Sequence, residues 1–477
     1  MKDTHLYLSL LPALVTITVS MWSKRILPSL LLGLLVGSYL LNPSVIGGFE
    51  TAIDHVVKTL SDEDNLQVLL FLYLFSGLIA LVKRAGGVKA FSNLTAKHIK
   101  SKTGFFFALW ALIPVTFIDC AFRIVGAGSM MRTLAEKNRI SKERFAFVLN
   151  NTASPVIELI PIATTFVGFN VAIIGQSLKT AGVLEKQSAY SVLLHAIPFE
   201  FFSIMVLLVT FVSIFYQWKK SPDHAVSHDM KKKASGSMDM HMEDEAAELV
   251  PRVVNLVVPM MSVIVLSFFY FWYFGRGKAD SGETILSAIA ATNPNKAMLV
   301  ALSVSLVITG IVYACQKYNV KKMTKHVITG GNDLMHIIAI LVVAWSLAAV
   351  SQELGLSGFI RQQLGTALPA WSVPVSLFAV ACAVTYFIGE GWAAASLIMP
   401  FAVSLAVSTG AGIPICVAAV ITGGTFGDTS SPIAGMTNMA SEVAHADHMK
   451  YMKYAMPYNI TAMVLASVLF LLFGVIG

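Results

Sequence analysis

The chain has 477 residues, of which 56% are apolar and only 13% charged. Its mean hydropathy is +0.71, whereas aqueous domains carry about 25% charged and roughly 45–50% apolar residues. That argues against a soluble domain, a nucleic-acid binder or a disordered scaffold. The net charge of +7 reads as Lys and Arg in cytoplasmic loops rather than as the mark of an acidic partner.

A helix needs about 20 apolar residues to cross the hydrocarbon. Candidate spans in chain order are 6–22, 26–41, 67–82, 145–176, 190–216, 253–274, 297–316, 334–350, 411–441 and 456–477. Two further apolar blocks, 105–131 and 373–409, contain internal breaks. The first run, Leu6 to Trp22, lacks a strongly basic start and an A-x-A cleavage site, so it reads as a membrane helix rather than a signal peptide. Cys120, Cys315, Cys382 and Cys416 lie in apolar stretches without a CxxC pair, which implies neither a disulfide framework nor a zinc site.

Loop charges give orientation. Ser23-Lys24-Arg25 is basic, residues 42–66 carry five acids against Lys58, and residues 83–104 carry six Lys or Arg and no acid. The order inside, outside, inside places the N-terminus outside. The segment 132–144 is basic as well, so both flanks of 105–131 are cytoplasmic and that block is expected to dip in and return as a re-entrant hairpin. Residues 217–252 form the one long polar segment, a flexible cytoplasmic linker between halves 1–216 and 253–477. The loop 317–333 is basic, so the span 334–350 runs inside to outside, opposite to 67–82.

Those two spans match in sequence. Ala80, Val82, Gly87 and Phe91 recur as Ala348, Val350, Gly355 and Phe359 at an offset of 268. Val115-Thr116 and Phe117-Ile118 recur as Val384-Thr385 and Phe387-Ile388, and Asn151 to Val156 recurs in character as Asp428 to Ile433 at an offset of 277. The expected fold is an all-α polytopic membrane protein. It has two inverted-topology repeats of about five spans and one re-entrant hairpin each, with broken helices at the repeat interface. The second hairpin, 373–409, is expected to enter from outside.

The breaks are candidate sites. Thr152-Ala-Ser154-Pro155 and Thr429-Ser-Ser431-Pro432 interrupt apolar spans. Proline removes a backbone donor, and opened backbone with hydroxyls, amides and a carboxylate offers the hard oxygen ligands a cation prefers. The alternative is a proline kink with serine caps. Asp428, after Gly423 to Gly427, is an intramembrane carboxylate and a functional residue by default; otherwise it is the structural partner of a hidden cation. Asp119 and Arg123 stand at i, i+4 and either pair across one turn or leave Arg123 to hold a substrate carboxylate. Glu390, between Gly389 and Gly391 at the second hairpin's tip, is a proton carrier or a tip residue that reaches water. Glu158, His195 and Glu200 form a proton path or are hydrated helix ends. Asp333 and His336 stand at a membrane entry, where solvation explains them.

These residues resemble the NhaC family of Na+/H+ antiporters, most clearly over 113–170 and 384–460. The family pattern G-D-H-x-S-P-I-S-D-T-T is similar to Gly427-Asp428-Thr429-Ser430-Ser431-Pro432-Ile433-Ala434-Gly435-Met436-Thr437, and D-S-T-A-A-P is similar to Asn150-Asn151-Thr152-Ala153-Ser154-Pro155. Met131 to Arg144 resembles the basic connector after the family's first hairpin, and Gly389-Glu390-Gly391-Trp392 its G-T-S-W stretch. The resemblance implies a secondary antiporter in the inner membrane. It further implies a homodimer in which a transport domain of hairpins and broken helices slides against a scaffold. Asp428, Thr429, Ser431, Asn151, Thr152 and Ser154 inherit the binding role, the first, second, third and fourth of them as tentative Na+ ligands. The chain departs from the pattern at Asn150 and Gly435, where acids are replaced, and at Glu390 and Arg123, where charges appear.

The expected function is Na+/H+ exchange, with Asp428 and a second carboxylate (Asp119 or Glu390) binding either ion. The rival is a Na+- or H+-coupled carrier of a small organic acid or amino acid. No cofactor is expected beyond these ions, and no partner beyond the bilayer, a second copy and the solute. The sequence has no H-E-x-x-H, no G-x-G-D and no Walker A motif, so an intramembrane enzyme or an ATP-driven pump has no support, and paired hairpins of opposite entry favour alternating access over a channel.

Overall fold

A computed structural model describes residues 8–87, 90, 101–117, 119–161, 164–184, 188–216, 249–276, 292–360, 362 and 368–476. Most of the linker 217–252, and the end of the basic loop 83–104 apart from its flanks, lie outside the described residues. Among those described, all regular structure is helical. The protein is an all-α polytopic membrane protein. Eight helices are long and apolar enough to cross a bilayer, or up to ten when each bent pair counts as one span.

The first half opens with α1 (Leu11–Ser23), α2 (Ile26–Leu41), α3 (Val45–Ser61) and α4 (Glu63–Arg84). The segment 42–66 is therefore largely helix, not loop. Its helix α3 turns back from α2 by 119°. Then come α5 (Lys102–Ala111), α6 (Ile113–Thr116), α7 (Cys120–Phe122), a π turn (Arg123–Ala127) and α8 (Gly128–Lys137). This block, expected as a re-entrant hairpin, is broken between Thr116 and Cys120. The 145–176 span is three pieces: α9 (Lys142–Asn151), α10 (Ser154–Glu158) and α11 (Thr165–Thr180). Pro155 sits in the first turn of α10, where its missing N–H costs nothing. The half ends with α12 (Ala189–Ala196) and α13 (Phe201–Phe215), which meet at a 41° bend at Glu200.

The second half holds α14 (Val254–Gly275), α15 (Pro294–Cys315), α16 (Val320–Asp333), α17 (Met335–Glu353), α18 (Leu356–Phe359), α19 (Val373–Ile388), α20 (Gly391–Thr409), α21 (Ile413–Ser430), α22 (Gly435–Val443) and α23 (His448–Ile476). The basic segment 317–333, expected as a loop, is mostly helix α16. Glycines let helices touch backbone to backbone. A Cβ on Gly423 would strike Ala381, and one on Gly427 would lie 2.0 Å from Thr385 Cγ2, so α19 and α21 run parallel. Gly391 at the start of α20 meets Gly424 and Asp428 near the end of α21, so α20 and α21 run antiparallel. Hence α19 and α20 form a helical hairpin. Its tip needs Gly389, whose φ of +79° is left-handed. With the preceding turn, each leg has 19 residues of crossing length, longer than a shallow re-entrant loop requires.

The connecting helices are exchanged between halves. Thr59 of α3 meets Ser346 of α17 and His55 meets Glu353, an antiparallel contact. Ser76 of α4 donates to Gly330 O at 2.6 Å, and Tyr73 to Ile328 O and Asn332 Oδ1 of α16. Gly77, Gly330 and Gly331 allow that approach.

Candidate ion-binding site

Both broken spans are opened where the sequence placed the breaks. The α9–α10 interruption falls at Thr152-Ala153 and the α21–α22 interruption at Ser431 to Ala434. Carbonyls freed in a membrane need donors, and here side chains supply them. Thr152 O accepts from Arg123 Nε at 2.9 Å. Asp428 O accepts from Asn150 Nδ2 at 3.3 Å, and Thr429 O from Asn459 Nδ2 at 2.9 Å. Ser431 O accepts from Thr437 Oγ1 at 2.8 Å, and His448 Nε2 lies 2.7 Å from Pro432 O. The opened backbone is thus largely occupied by the protein's own donors.

Arg123 is fully buried. Nη1 donates to Thr116 Oγ1 at 2.8 Å, and Nη2 to Thr152 Oγ1 at 2.9 Å and Leu109 O at 3.0 Å. Of the two alternatives for Asp119 and Arg123, the ion pair does not form. The backbone keeps i, i+4 register, with Arg123 N donating to Asp119 O at 2.9 Å, but Asp119 is the extended N-cap of α7 and its carboxylate turns to the helix's own N–H while the guanidinium reaches the first break. Asp119 instead caps Phe122 N at 2.9 Å and accepts from Thr165 Oγ1 at 3.4 Å. Nor is Arg123 presented to a solute. Desolvating a charge costs several kcal/mol, and four charge-assisted bonds at about 1.5–3 kcal/mol each offset that cost.

Asp428 is 5% exposed. Its Oδ1 accepts from Gly391 N at 3.0 Å and its Oδ2 from Ser154 Oγ at 3.5 Å. The carboxylate therefore joins the end of α21 to the start of α20 and to the first break. The positive end of α20 is a partial counter-charge. Asn150, Asn151, Thr152, Ser154, Thr429 and Ser431 are all buried around this junction. Asn151 Nδ2 donates to Asn459 Oδ1 at 2.8 Å and Thr210 Oγ1 at 3.2 Å. Thr429 Oγ1 bonds back to Thr425 O at 2.9 Å, and Ser431 Oγ donates to Tyr386 O at 2.6 Å.

Beside Asp428 lies a cavity lined by Glu158, Phe166, Phe169, Asn170, Trp392 and the α20–α21 backbone contact. About 10 Å³ of it is open to the centre of a water-sized sphere, room for one water or one small ion. Trp392 closes one side, 5.0 Å from the Phe166 ring and 4.5 Å from the Phe169 ring. Glu158 Oε2 accepts from Ser203 Oγ at 2.8 Å and from Thr425 Oγ1. Glu200 is fully buried, with no hydrogen-bond partner for either oxygen, and interacts electrostatically with Glu158. Glu158 and Glu200 are therefore not hydrated helix ends. His195 is exposed and bonds Ser191 O, apart from them.

The second carboxylate at the cavity is Glu158, not Asp119 or Glu390. Glu390 leans instead toward His336 at the start of α17, 3.8 Å away, with 27% of its side chain exposed. Asp333 is exposed. Thr425, Ser203, Asn170 and Asn459 were missed from the sequence, although each is a polar residue in an otherwise apolar run. Among the described residues, no three His, Cys, Asp or Glu side chains come together as a metal cluster.

A family model described as the Na+/H+ antiporter family matches residues 156–475, about two thirds of the chain. The chain belongs to the Na+/H+ antiporter family. The match bears out the NhaC resemblance. It takes in Asp428, Glu158 and Glu200 but begins just after the first break. An uncharacterised protein of Haemophilus influenzae is 24% identical over 476 residues, 98% of this chain and 90% of that protein. Two solved structures share the fold. The YdaH transporter of Alcanivorax borkumensis, noted for an unusual topology, matches with a TM-score of 0.57 at 12% identity, covering 89% of this chain and 88% of its own. MtrF of Neisseria gonorrhoeae, presented as illuminating a class of antimetabolite efflux pumps, matches with a TM-score of 0.55 at 13% identity, covering 89% and 84%. This antiporter-family chain is a secondary transporter by membership.

Proposed function

We propose that the protein exchanges Na+ for H+ across the inner membrane by alternating access, with the cation held between Asp428 and Glu158. The observation that carries this is the cavity between two buried carboxyls, sized for an ion. Asp428, Glu158 and Glu200 have no Lys or Arg within salt-bridge reach among the described residues. Burying three unneutralised carboxylates is prohibitive. Mobile cations must neutralise them, and Na+ and H+ then compete for the same oxygens. Ser154 bonds Asp428 and Ser203 and Thr425 bond Glu158, so these are the neutral oxygens at that pair, and Asn151, Thr152, Thr429 and Ser431 brace the two breaks.

The motion we propose is an elevator. The two hairpins and broken helices travel together against α1 to α4 and α14 to α17, in a homodimer with the N-terminus outside and the halves inverted. A second reading, a Na+- or H+-coupled carrier of a small organic solute, has the fold likeness to MtrF in its favour. The size of the cavity and the sequestered Arg123 weigh against it.

Proteoliposomes with an internal pH dye test the proposal. Added Na+ or Li+ is expected to drive proton movement in wild-type vesicles, with choline inert. Failure of both ions to move protons while a labelled amino or organic acid accumulates on an ion gradient would establish the second reading instead.

A further inference from the structure

Arg123 presents a buried charge surrounded by four neutral oxygens: Leu109 O, Thr116 Oγ1, Thr152 O and Thr152 Oγ1, all at 2.8–3.0 Å. They come from three segments: α5, α6 and the first break. No carboxylate takes part. Such a shell of carbonyl and hydroxyl oxygens is one that a small monovalent cation would accept in a low-dielectric interior.

Two of the threonines in that shell have sequence counterparts in the second half that make the same intrahelical back-bond, with no fixed cation beside them. Thr116 Oγ1 bonds back to Leu112 O at 2.8 Å, and its counterpart Thr385 to Ala381 O at 2.7 Å. Thr152 Oγ1 bonds back to Val148 O at 2.7 Å, and its counterpart Thr429 to Thr425 O at 2.9 Å. The offset of 270 that relates Phe117-Ile118 to Phe387-Ile388 puts Ala393 opposite Arg123, and Ala393 is fully buried. At the offset of 277, Asn151 stands opposite Asp428. One half thus has a fixed cation and a neutral amide. The other has a carboxylate and no fixed cation.

We infer that the Arg123 guanidinium is a tethered cation that permanently fills the oxygen shell at the first break, confining mobile cations to the Asp428–Glu158 cavity. The fixed-charge part stands independently of the exchange reaction; only the confinement of the mobile ion rests on the function proposed above. A chain so built holds its first break closed in every state of the cycle. The cation cannot leave, because it is covalently part of the hairpin that covers it.

The test uses full-length protein in detergent, with choline chloride as the background salt and thermal unfolding as the readout. Arg123→Ala is expected to melt lower than wild type by about 5 °C or more. Guanidinium at about 10 mM should recover at least half of that loss by binding the vacated oxygens, and NaCl a smaller share. Wild type should respond to neither beyond its response to choline. Arg123→Lys, which keeps charge without the fork, should melt between wild type and Arg123→Met. An Arg123→Ala melt indifferent to guanidinium and Na+, or an Arg123→Met protein as stable as wild type, overturns the inference. If Arg123→Ala cannot be purified, the Lys and Met variants decide: equal losses in both overturn it. In proteoliposomes, Na+ dependence should be first order for wild type and steeper for Arg123→Ala. Absence of Na+ transport in wild type would remove that arm and the exchange reading together, while the melting result stands on its own.

Discussion

Asp428 closes the end of a helix to which it does not belong: its Oδ1 lies 3.0 Å from the first N–H of α20, at Gly391. The same carboxylate borders the ion-sized cavity. Asp428→Asn keeps the hydrogen-bond acceptor at Gly391 but removes the charge. It should purify like wild type and lose cation-driven proton movement by at least about tenfold, an energy above about 1.4 kcal/mol. Full activity in that variant would demote Asp428 to a brace between α20 and α21.

Glu158 is the second carboxyl at the cavity, held by Ser203 and Thr425. Glu158→Gln should raise the Na+ concentration for half-maximal exchange by tenfold or more, while Thr425→Val, which removes only one donor, should cost about 1–3 kcal/mol in stability. Dye-monitored exchange and melting curves separate the two effects. Glu158→Gln with unaltered Na+ dependence would leave Asp119 or Glu390 as the second carboxylate.

Gly427 leaves no room for a side chain, since a Cβ would sit 2.0 Å from Thr385 Cγ2 and 2.8 Å from the Thr385 backbone. Gly427→Ala must push α21 off α19. A destabilisation of about 1–3 kcal/mol follows from overpacking. Thr385→Ser removes the offending methyl and should restore part of the loss in the double variant, which melting curves can show.

Outside the membrane, Asp62 caps α4 at Asp64 N and Asn65 N and pairs with Lys179 at 2.8 Å. Burial pushes its carboxyl up, but the Lys179 and backbone hydrogen bonds together hold it below the usual value. A carboxyl depressed in the folded state contributes stability above its unfolded value near pH 4, and that contribution fades as pH falls through the folded value. Asp62→Ala should therefore cost about 1–2 kcal/mol at neutral pH and progressively less below pH ~4. A loss independent of pH would show that the charge is irrelevant.

The two exchanged connectors differ in charge. Asp62, Glu63 and Asp64 follow α3, whereas Lys321, Lys322 and Lys325 lie on α16. Single cysteines at Glu63 and Lys325, in a chain stripped of its four native cysteines, should react with an impermeant maleimide from opposite faces of intact cells or vesicles. Labelling from one face would rule out the inverted arrangement.

The membrane character, the span positions and both breaks were legible because long apolar runs and interrupting prolines act locally. Two amphipathic helices, α3 and α16, read as loops because their charges sit on one face and their glycines and small residues on the other. The Asp119–Arg123 spacing misled because Asp119 is the extended N-cap of α7, so its carboxylate folds onto Phe122 N while the guanidinium turns to the first break. The Glu158 carboxyl could not be ranked from sequence at all. Its decisive neighbour, Thr425, is 267 positions away, and nothing in either local stretch announces the other.

The exchange of connectors has a consequence for biogenesis. Helix α3 has its seat on α17, and α4 receives α16, so the amino-terminal portion emerges from the ribosome with partners that have not yet been made. Its grooves at Gly77 and Thr59 must wait in lipid until about 270 further residues are translated. Co-expressed half-chains should then assemble only with one another, and a stalled nascent chain ending in the 217–252 stretch should be a substrate for membrane quality control rather than a stable intermediate.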